Sequence, residues 1–290
     1  MHKVNVLAEA LPYIRDFHGS CMVIKMGGHA MVDKEIMEST VKDILLLYYV
    51  GIKPVIVHGG GPEISSKMEQ MGIKPKYVDG LRVTDRETME VVEMVLDGKV
   101  NSQIISTFIK NGGKAVGISG KDGLLIIAKK KEVKKIEDDR EVSIDLGHVG
   151  ETEYINPEIL EVLTDKGLIP VISPVAADLE GETYNINADI VAGNVAASLN
   201  AKKLIMLTDV PGLLEYPDDK SSVISQIKTE ELKRKLANNE LRSGMIPKAE
   251  AIIAALKGGV ERAHIINGSK EHSILLELLT KEGTGTMVEN

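Results

Sequence analysis

Twice in the first quarter of the chain, a short apolar run breaks into glycines that lead on to helical spacing. The first is Val23-Ile24-Lys25-Met26-Gly27-Gly28. The second is Lys53-Pro54-Val55-Ile56-Val57-His58, followed by Gly59-Gly60-Gly61-Pro62. A repeated strand–glycine loop–helix unit constrains the fold strongly, because apolar strands joined by helices form a parallel sheet with helical crossovers. In such a sheet the carboxyl ends of the strands border the ligand crevice. Lys25 stands one residue before its glycines, as a cation at the floor of that crevice. Gly27 and Gly28 let backbone N–H groups approach a charged oxygen with no Cβ in the way. Gly59, Gly60 and Gly61 place further donors near a helix N-terminus, which favours anions. Each loop can also be read as a tight turn with spare glycines; the anion site is the reading preferred for the second.

The remaining pattern extends the same architecture. Val4, Leu7, Ala8, Leu11, Ile14 and Phe17 fall on one helical face, interrupted by Pro12, which predicts a kinked amphipathic helix before the first strand. That helix either covers its own domain or docks on another subunit. A helix is expected over 33–50, ending at Gly51, and another from Glu63 to Met71. Thr84 and Glu87 have the spacing of a capping box and predict a helix running to about Lys110. Strands are expected at 115–118, 124–128, 168–172, 203–207 and 262–266, with a turn at Gly120–Gly123 and a charged hairpin over 129–143. Asn156-Pro157 opens a helix closed by Gly167. Helices are also expected at 188–199, 228–238 and 273–280, and from Pro247.

The composition narrows the function. At 290 residues with 43% hydrophobic content, the chain can form one large α/β domain or two lobes. A net charge of −8 argues against a general nucleic-acid binder. With no Trp and 3% aromatics, stacking platforms for single strands are not expected. The single cysteine, Cys21, reads as a small buried hydrophobe, and the default compartment is a reducing cytoplasm. No apolar run is long enough to span a bilayer.

Several polar residues exceed what local structure needs. Arg82 lies in a loop just upstream of a helix start, where it is either solvated or clamps a carboxylate through its planar fork. Asn185, Asn187 and Asp189 crowd one helix start, where a single cap suffices. Thr208-Asp209-Val210-Pro211-Gly212 is a turn suited to a nucleotide. Lys248, after Arg242-Ser243-Gly244-Met245, sits at a helix N-terminus against the macrodipole, which makes sense if an anion lies there. Two lysines beside glycine-rich loops, with Asp189 and Arg82, suit phosphoryl transfer, where fixed cations and backbone donors stabilise spreading charge. A carboxylate acceptor with a pKa of about 4.3 is already ionised, so no general base is required. His58 reads as a packed histidine. The P-loop and kinase catalytic-loop signatures are absent, as is the Gly-x-Gly-x-x-Gly of a nicotinamide dehydrogenase.

Taken in order, Val23–Gly28, Val57–Pro62, Asp79–Asp85, Gly117–Gly123, Asp145–Glu151, Tyr184–Asp189, Leu207–Leu213 and Gly244–Ala249 resemble the amino-acid kinase family, in the branch acting on N-acetyl-L-glutamate. The resemblance implies a three-layer α/β/α open sandwich around a mainly parallel sheet. It implies an N-terminal lobe over 1–179, for the acyl amino acid and dimerisation, and a C-terminal lobe over 180–290 for ATP, on one continuous sheet. By this resemblance Lys25 and Lys248 stabilise the transferring phosphoryl group and Asp189 orients them. Gly60, Gly61, Arg82, Asn185 and Asn187 hold N-acetyl-L-glutamate. Gly27, Gly28, Thr208, Asp209, Gly212, Ser243, Gly244 and Met245 border ATP, whose Mg²⁺ is held by the phosphates and not by a protein cage. The N-terminal helix is similar to the arm that links dimers into hexamers in arginine-inhibited members. Tyr13, Lys203, Glu277 and Gly283 are then expected at an arginine site. Alternatives are a kinase for another carboxylate, such as an aminoadipate derivative, or a non-catalytic nucleotide-binding regulator.

Overall fold

A computed structural model describes the chain apart from residues 1, 29, 30, 32, 138, 139, 217, 220 and 282. The side chains of 2–8 and 134–141, which include Val4, Leu7 and Ala8 and much of the charged hairpin, also lie outside the described residues. The chain begins with α1 (His2–Phe17), β1 (Cys21–Met26), α2 (Lys34–Tyr49), β2 (Lys53–His58), α3 (Gly61–Gln70), β3 (Tyr77–Val78) and β4 (Leu81–Arg82). It continues through α4 (Arg86–Glu93), a π-helical stretch (Met94–Val100), α5 (Asn101–Lys110), β5 (Ala115–Ser119), β6 (Ile126–Lys130), β7 (Val133–Glu137), β8 (Arg140–Ile144) and β9 (Gly150–Ile155). Then come α6 (Glu158–Asp165), β10 (Ile169–Ser173), β11 (Val175–Ala177), β12 (Thr183–Asn185), α7 (Ala188–Ser198), β13 (Lys203–Thr208) and β14 (Gln226–Lys228). The last elements are α8 (Thr229–Ala237), α9 (Ile246–Lys257), β15 (Arg262–Asn267), α10 (Ser273–Leu279) and β16 (Thr286–Glu289).

Eight strands form one sheet in the order β14-β16-β15-β13-β1-β2-β10-β5. The pairs are parallel except β15 with β16, which is antiparallel. The period-two alternation of side chains splits the core into two layers. Met22, Ile24, Ile56, Ile205 and Leu207 face one layer with α1, α2, α3, α5 and α10. Val23, Val55, Val57, Leu204 and Met206 face the other with α7, α8 and α9. This is the expected α/β/α sandwich. A second, four-stranded sheet, β12-β11-β6-β9, extends the second layer.

Local expectations need four corrections. Thr84 does not cap the helix after it: Asp85 does, its side chain accepting from Thr88 N at 2.9 Å. Thr84 is buried and its hydroxyl donates to Arg82 O. The helix to Lys110 is interrupted by the π-helical stretch. The strand expected at 124–128 begins at Ile126, after a 3₁₀ turn at Asp122–Leu124. On α1, Phe17 is buried and Ile14 packs against the core as expected, but Leu11 is exposed and Ala10, outside the expected stripe, is buried; Pro12 lies inside this helix.

Candidate active site

The site is assembled by helix packing on one sheet face. Lys25 follows Val23 by two residues, so it points to the same side of β1, the side covered by α7. Asn187 caps α7, its Oδ1 accepting from Asp189 N at 2.8 Å and Ile190 N at 3.3 Å. This puts Asp189 in the first turn, where the helix dipole favours a carboxylate. α9 lies so close to α7 that a Cβ on Gly193 would come within 2.6 Å of Ala251 O. That approach brings the first turn of α9, with Lys248, to the first turn of α7.

Three charges converge as a result. Lys25 Nζ lies 3.0 Å from Asp189 Oδ1, and Lys248 Nζ donates to Asp189 Oδ2 at 2.9 Å. The Lys25 contact is an ion pair outside hydrogen-bond angles, which leaves Oδ1 without a hydrogen bond. Burial alone would raise the Asp189 pKa; the Lys25 and Lys248 ammonium groups outweigh it and hold the carboxyl below its ordinary value. The cluster carries one net positive charge.

Two cavities meet at this cluster. The first, of about 310 Å³, is lined by Lys25, Gly27, Gly28, Gly60, Gly61, Arg82, Asn185, Asn187 and Asp189 among others. The second, of about 400 Å³, is lined by Thr208, Asp209, Gly212, Ser243, Gly244, Met245 and Lys248, with Val210, Leu213 and Leu241 as apolar surface. Gly28 sits at the seam: its φ is +63°, and a Cβ there would collide with the Asp209 carboxylate. A Cβ on Gly27 would collide with the Lys25 ammonium.

Arg82 is buried at 8% exposure and makes no ion pair among the described residues. Its NH2 donates to Gly61 O at 2.9 Å and to Ser65 Oγ at 2.8 Å, and its NH1 to Met68 Sδ at 3.3 Å. Its guanidinium carbon lies 4.9 Å from the centre of the Tyr77 ring. All these partners are neutral. A buried cation without a counter-charge is costly, and an anion entering the first cavity would relieve it. Burial lowers the Arg82 pKa. Asn185 Nδ2 donates to Thr84 Oγ1 at 3.4 Å. Ser65 and Tyr77 were not singled out from sequence. The Asp79-Gly80 pair between Val78 and Leu81 was the available signal, since it makes the hairpin that pairs Tyr77 with Arg82.

His58 is wholly buried. Its Nδ1–H donates to Gly59 O at 2.8 Å, and its Nε2 accepts from Asn101 Nδ2 at 3.2 Å. Burial pushes its pKa down to about 4, so the ring is neutral and braces the second glycine loop.

A third cavity, of about 390 Å³, lies on the opposite sheet face and is lined by Tyr13, Lys203, His264, Glu277 and Gly283 among others. Lys203 Nζ donates to His264 Nε2 at 2.9 Å, and His264 Nδ1–H donates to Glu277 Oε1 at 2.7 Å. Glu277 Oε2 accepts from Thr284 N and Gly285 N. His264, which was not anticipated, joins the anticipated Lys203 and Glu277. Burial drives the Lys203 pKa down to about 8, with Arg262 adding to the effect.

The amino acid kinase family profile matches residues 20–267. The chain is 69% identical over 289 residues to an acetylglutamate kinase of Archaeoglobus fulgidus, covering all of both chains. It is 58% identical over 285 residues to an acetylglutamate kinase of Methanococcoides burtonii, covering 98% of this chain and 94% of the relative. Among solved structures it resembles N-acetylglutamate synthase of Neisseria gonorrhoeae complexed with coenzyme A and N-acetyl-glutamate, with TM-score 0.85 and 28% identity. That match covers 99% of this chain but 63% of the synthase chain. The same synthase complexed with coenzyme A and L-arginine matches with TM-score 0.82 and 26% identity, over 99% of this chain and 65% of the other.

Proposed function

This chain belongs to the amino acid kinase family, among its acetylglutamate kinases, and from that premise we propose how its residues divide the reaction. N-acetyl-L-glutamate occupies the first cavity and ATP the second. The γ-phosphoryl group crosses between them to the side-chain carboxylate, giving the acyl phosphate and ADP, a step of arginine biosynthesis. The N-terminal lobe, residues 1–179, carries most of the acyl site, and 180–290 most of the nucleotide site.

The observation that carries this reading is the shared grip of Lys25 and Lys248 on Asp189 where the cavities meet. Charge on the phosphoryl oxygens grows in the transition state, and two preplaced ammonium groups meet it without reorganisation. Asp189 keeps the like charges of the lysines together in the free enzyme. Arg82 pairs with the α-carboxylate of the acceptor, which supplies its missing counter-charge, and Gly60, Gly61 and Asn185 line the rest. Asn187 acts through α7, as its cap. Gly27 and Gly28 give N–H groups to the phosphates. The acceptor carboxylate arrives ionised, so no base is assigned. Among the described residues no three His, Cys, Asp or Glu side chains converge as a metal cage. Mg²⁺ accompanying ATP would take its ligands from the phosphates and neutralise part of their charge.

The test is ADP release with N-acetyl-L-glutamate, glutamate, aspartate and N-acetyl-aminoadipate offered in turn. Preference for N-acetyl-L-glutamate is expected; equal or better turnover of another acceptor overturns the assignment.

We also propose that arginine inhibits the enzyme from the third cavity. The ionised Glu277 offers a carboxylate to a guanidinium, and a solved relative was complexed with L-arginine. Assembly into a hexamer, as a trimer of dimers linked through α1, belongs to the same proposal. Loss of activity on arginine titration and a hexamer mass by sedimentation are expected; a flat titration removes the inhibitor site, and a dimer mass removes the role of α1.

A further inference from the structure

The nucleotide cavity has two walls that belong to different loops. One runs through Asp209–Leu214 and is anchored where Thr286 Oγ1 accepts from Leu213 N at 2.8 Å. The other runs through Glu240–Met245 and leads into α9. Neither wall is a sheet strand, so their separation must be set by side chains. Among the described residues, two polar ties reach across.

The outer tie joins Arg242 NH2 to Asp218 Oδ1 at 2.6 Å, with both side chains more than half exposed. The inner tie is Lys235. On α8, an otherwise polar helix, Thr229, Leu232 and Lys235 form the buried face. The Lys235 side chain is 8% exposed, and its ammonium lies 3.1 Å from Glu215 Oε2 and 3.6 Å from Glu240 Oε2. Glu215 directly follows the first wall and Glu240 begins the second. Glu240 N also donates to Lys235 O at 3.0 Å. One buried cation therefore grips the near end of each wall. An exposed pair contributes little and is screened by salt, whereas a buried ammonium held by two carboxylates cannot be released without stranding its charge.

We infer that Lys235 is a positioning residue for the nucleotide: it sets the spacing of the two walls between which ATP binds. It does not touch the reacting atoms. Lys248 is held separately, by α9 and by Asp189, so loosening the walls should weaken nucleotide binding and leave the chemistry largely intact. The inference rests on ATP occupying the second cavity.

The test uses the full-length enzyme with ATP varied at saturating N-acetyl-L-glutamate. K235M keeps the length of the side chain and removes its charge. It should raise the ATP KM at least about fivefold, with kcat and the KM for N-acetyl-L-glutamate within about twofold. Calorimetric binding of a non-hydrolysable ATP analogue should weaken in parallel. E215Q loosens only the first wall and stays measurable if K235M fails to fold; a rise of at least about threefold in ATP KM is expected. D218N, which cuts the outer tie, should leave the ATP KM unchanged. Folded K235M or E215Q with an unchanged ATP KM overturns the inference, as does an equal rise for both substrates or a D218N effect as large as that of K235M. Wild-type enzyme that ATP cannot saturate overturns the nucleotide reading itself, and the role of Lys235 with it.

Discussion

Lys25 and Lys248 grip opposite oxygens of the Asp189 carboxylate, at 3.0 and 2.9 Å, although one ends the first strand and the other opens a helix near the end of the chain. Two cations this close repel each other, and an anion between them offsets that repulsion. Asp189 fills that position, and on the proposed division of the site the phosphoryl group would compete for the same ammonium groups during transfer.

Removing either lysine should therefore act on the transition state more than on binding. K25A and K248A are each expected to lower kcat by about 10²-fold or more with modest changes in either KM. Steady-state kinetics of both variants decide it. Full turnover in both would remove these lysines from the mechanism.

Arg82 should govern the acyl substrate alone. R82K retains a positive charge and loses the planar fork that reaches Gly61 O and Ser65 Oγ. A hydrogen bond to a charged group contributes about 1.5–3 kcal/mol, so the KM for N-acetyl-L-glutamate should rise about tenfold or more while the ATP KM holds. Matching increases for both substrates would contradict the separation of the two cavities.

The glycines of the two loops should respond differently to a methyl group. Gly28 has a φ of +63° and faces the Asp209 carboxylate. G28A should cost about 1–2 kcal/mol from the left-handed backbone alone, and raise the ATP KM. At Gly61 a Cβ would meet nothing within 4 Å, so G61A should melt like the wild type. Thermal melts and ATP titrations of the pair provide the comparison.

Acid should destabilise the fold partly through His58. Burial holds its folded pKa at about 4, whereas the unfolded ring titrates near 6.5. Between those values the unfolded chain binds a proton that the folded chain refuses, so stability falls as pH drops from 6.5 towards 4. At about 1.4 kcal/mol per pKa unit the loss approaches about 3 kcal/mol. Urea unfolding of wild type and H58Q across this range should give a shallower acid slope for the variant. Identical slopes would assign the acid sensitivity to other groups.

The third cavity should respond to its carboxylate. E277Q removes the charge that faces Lys203 and His264, and should raise the arginine concentration for half-inhibition at least about tenfold, by loss of a charge-assisted contact. An unaltered arginine response would place the inhibitor elsewhere.

The glycine loops, the strands flanking them and the helix starts at Asn187 and Pro247 were legible in the chain, because strand periodicity and turn chemistry act over a few residues. Thr84 shows where local signals mislead. Its capping-box spacing is sound, but Asp85 offers an equally good cap one residue on, and burial beside Asn185 leaves Thr84 a different partner. Lys235 shows the same limit, as a lysine on a polar helix gives no sign of being enclosed until Glu215 and Glu240 are brought to it.

The sequence by itself determined which residue types stand at strand ends and helix starts, and hence that cations and backbone donors gather at the carboxyl edge of a parallel sheet. The tertiary structure alone decided which of them share a site. Lys25 and Lys203 lie on paired, adjacent strands, yet the parity of β1 and β13 sends them to opposite faces, one to Asp189 and the other to His264. Strand pairing and the close packing of α7 on α9 through Gly193 are contacts between distant segments, and no short window of sequence encodes them.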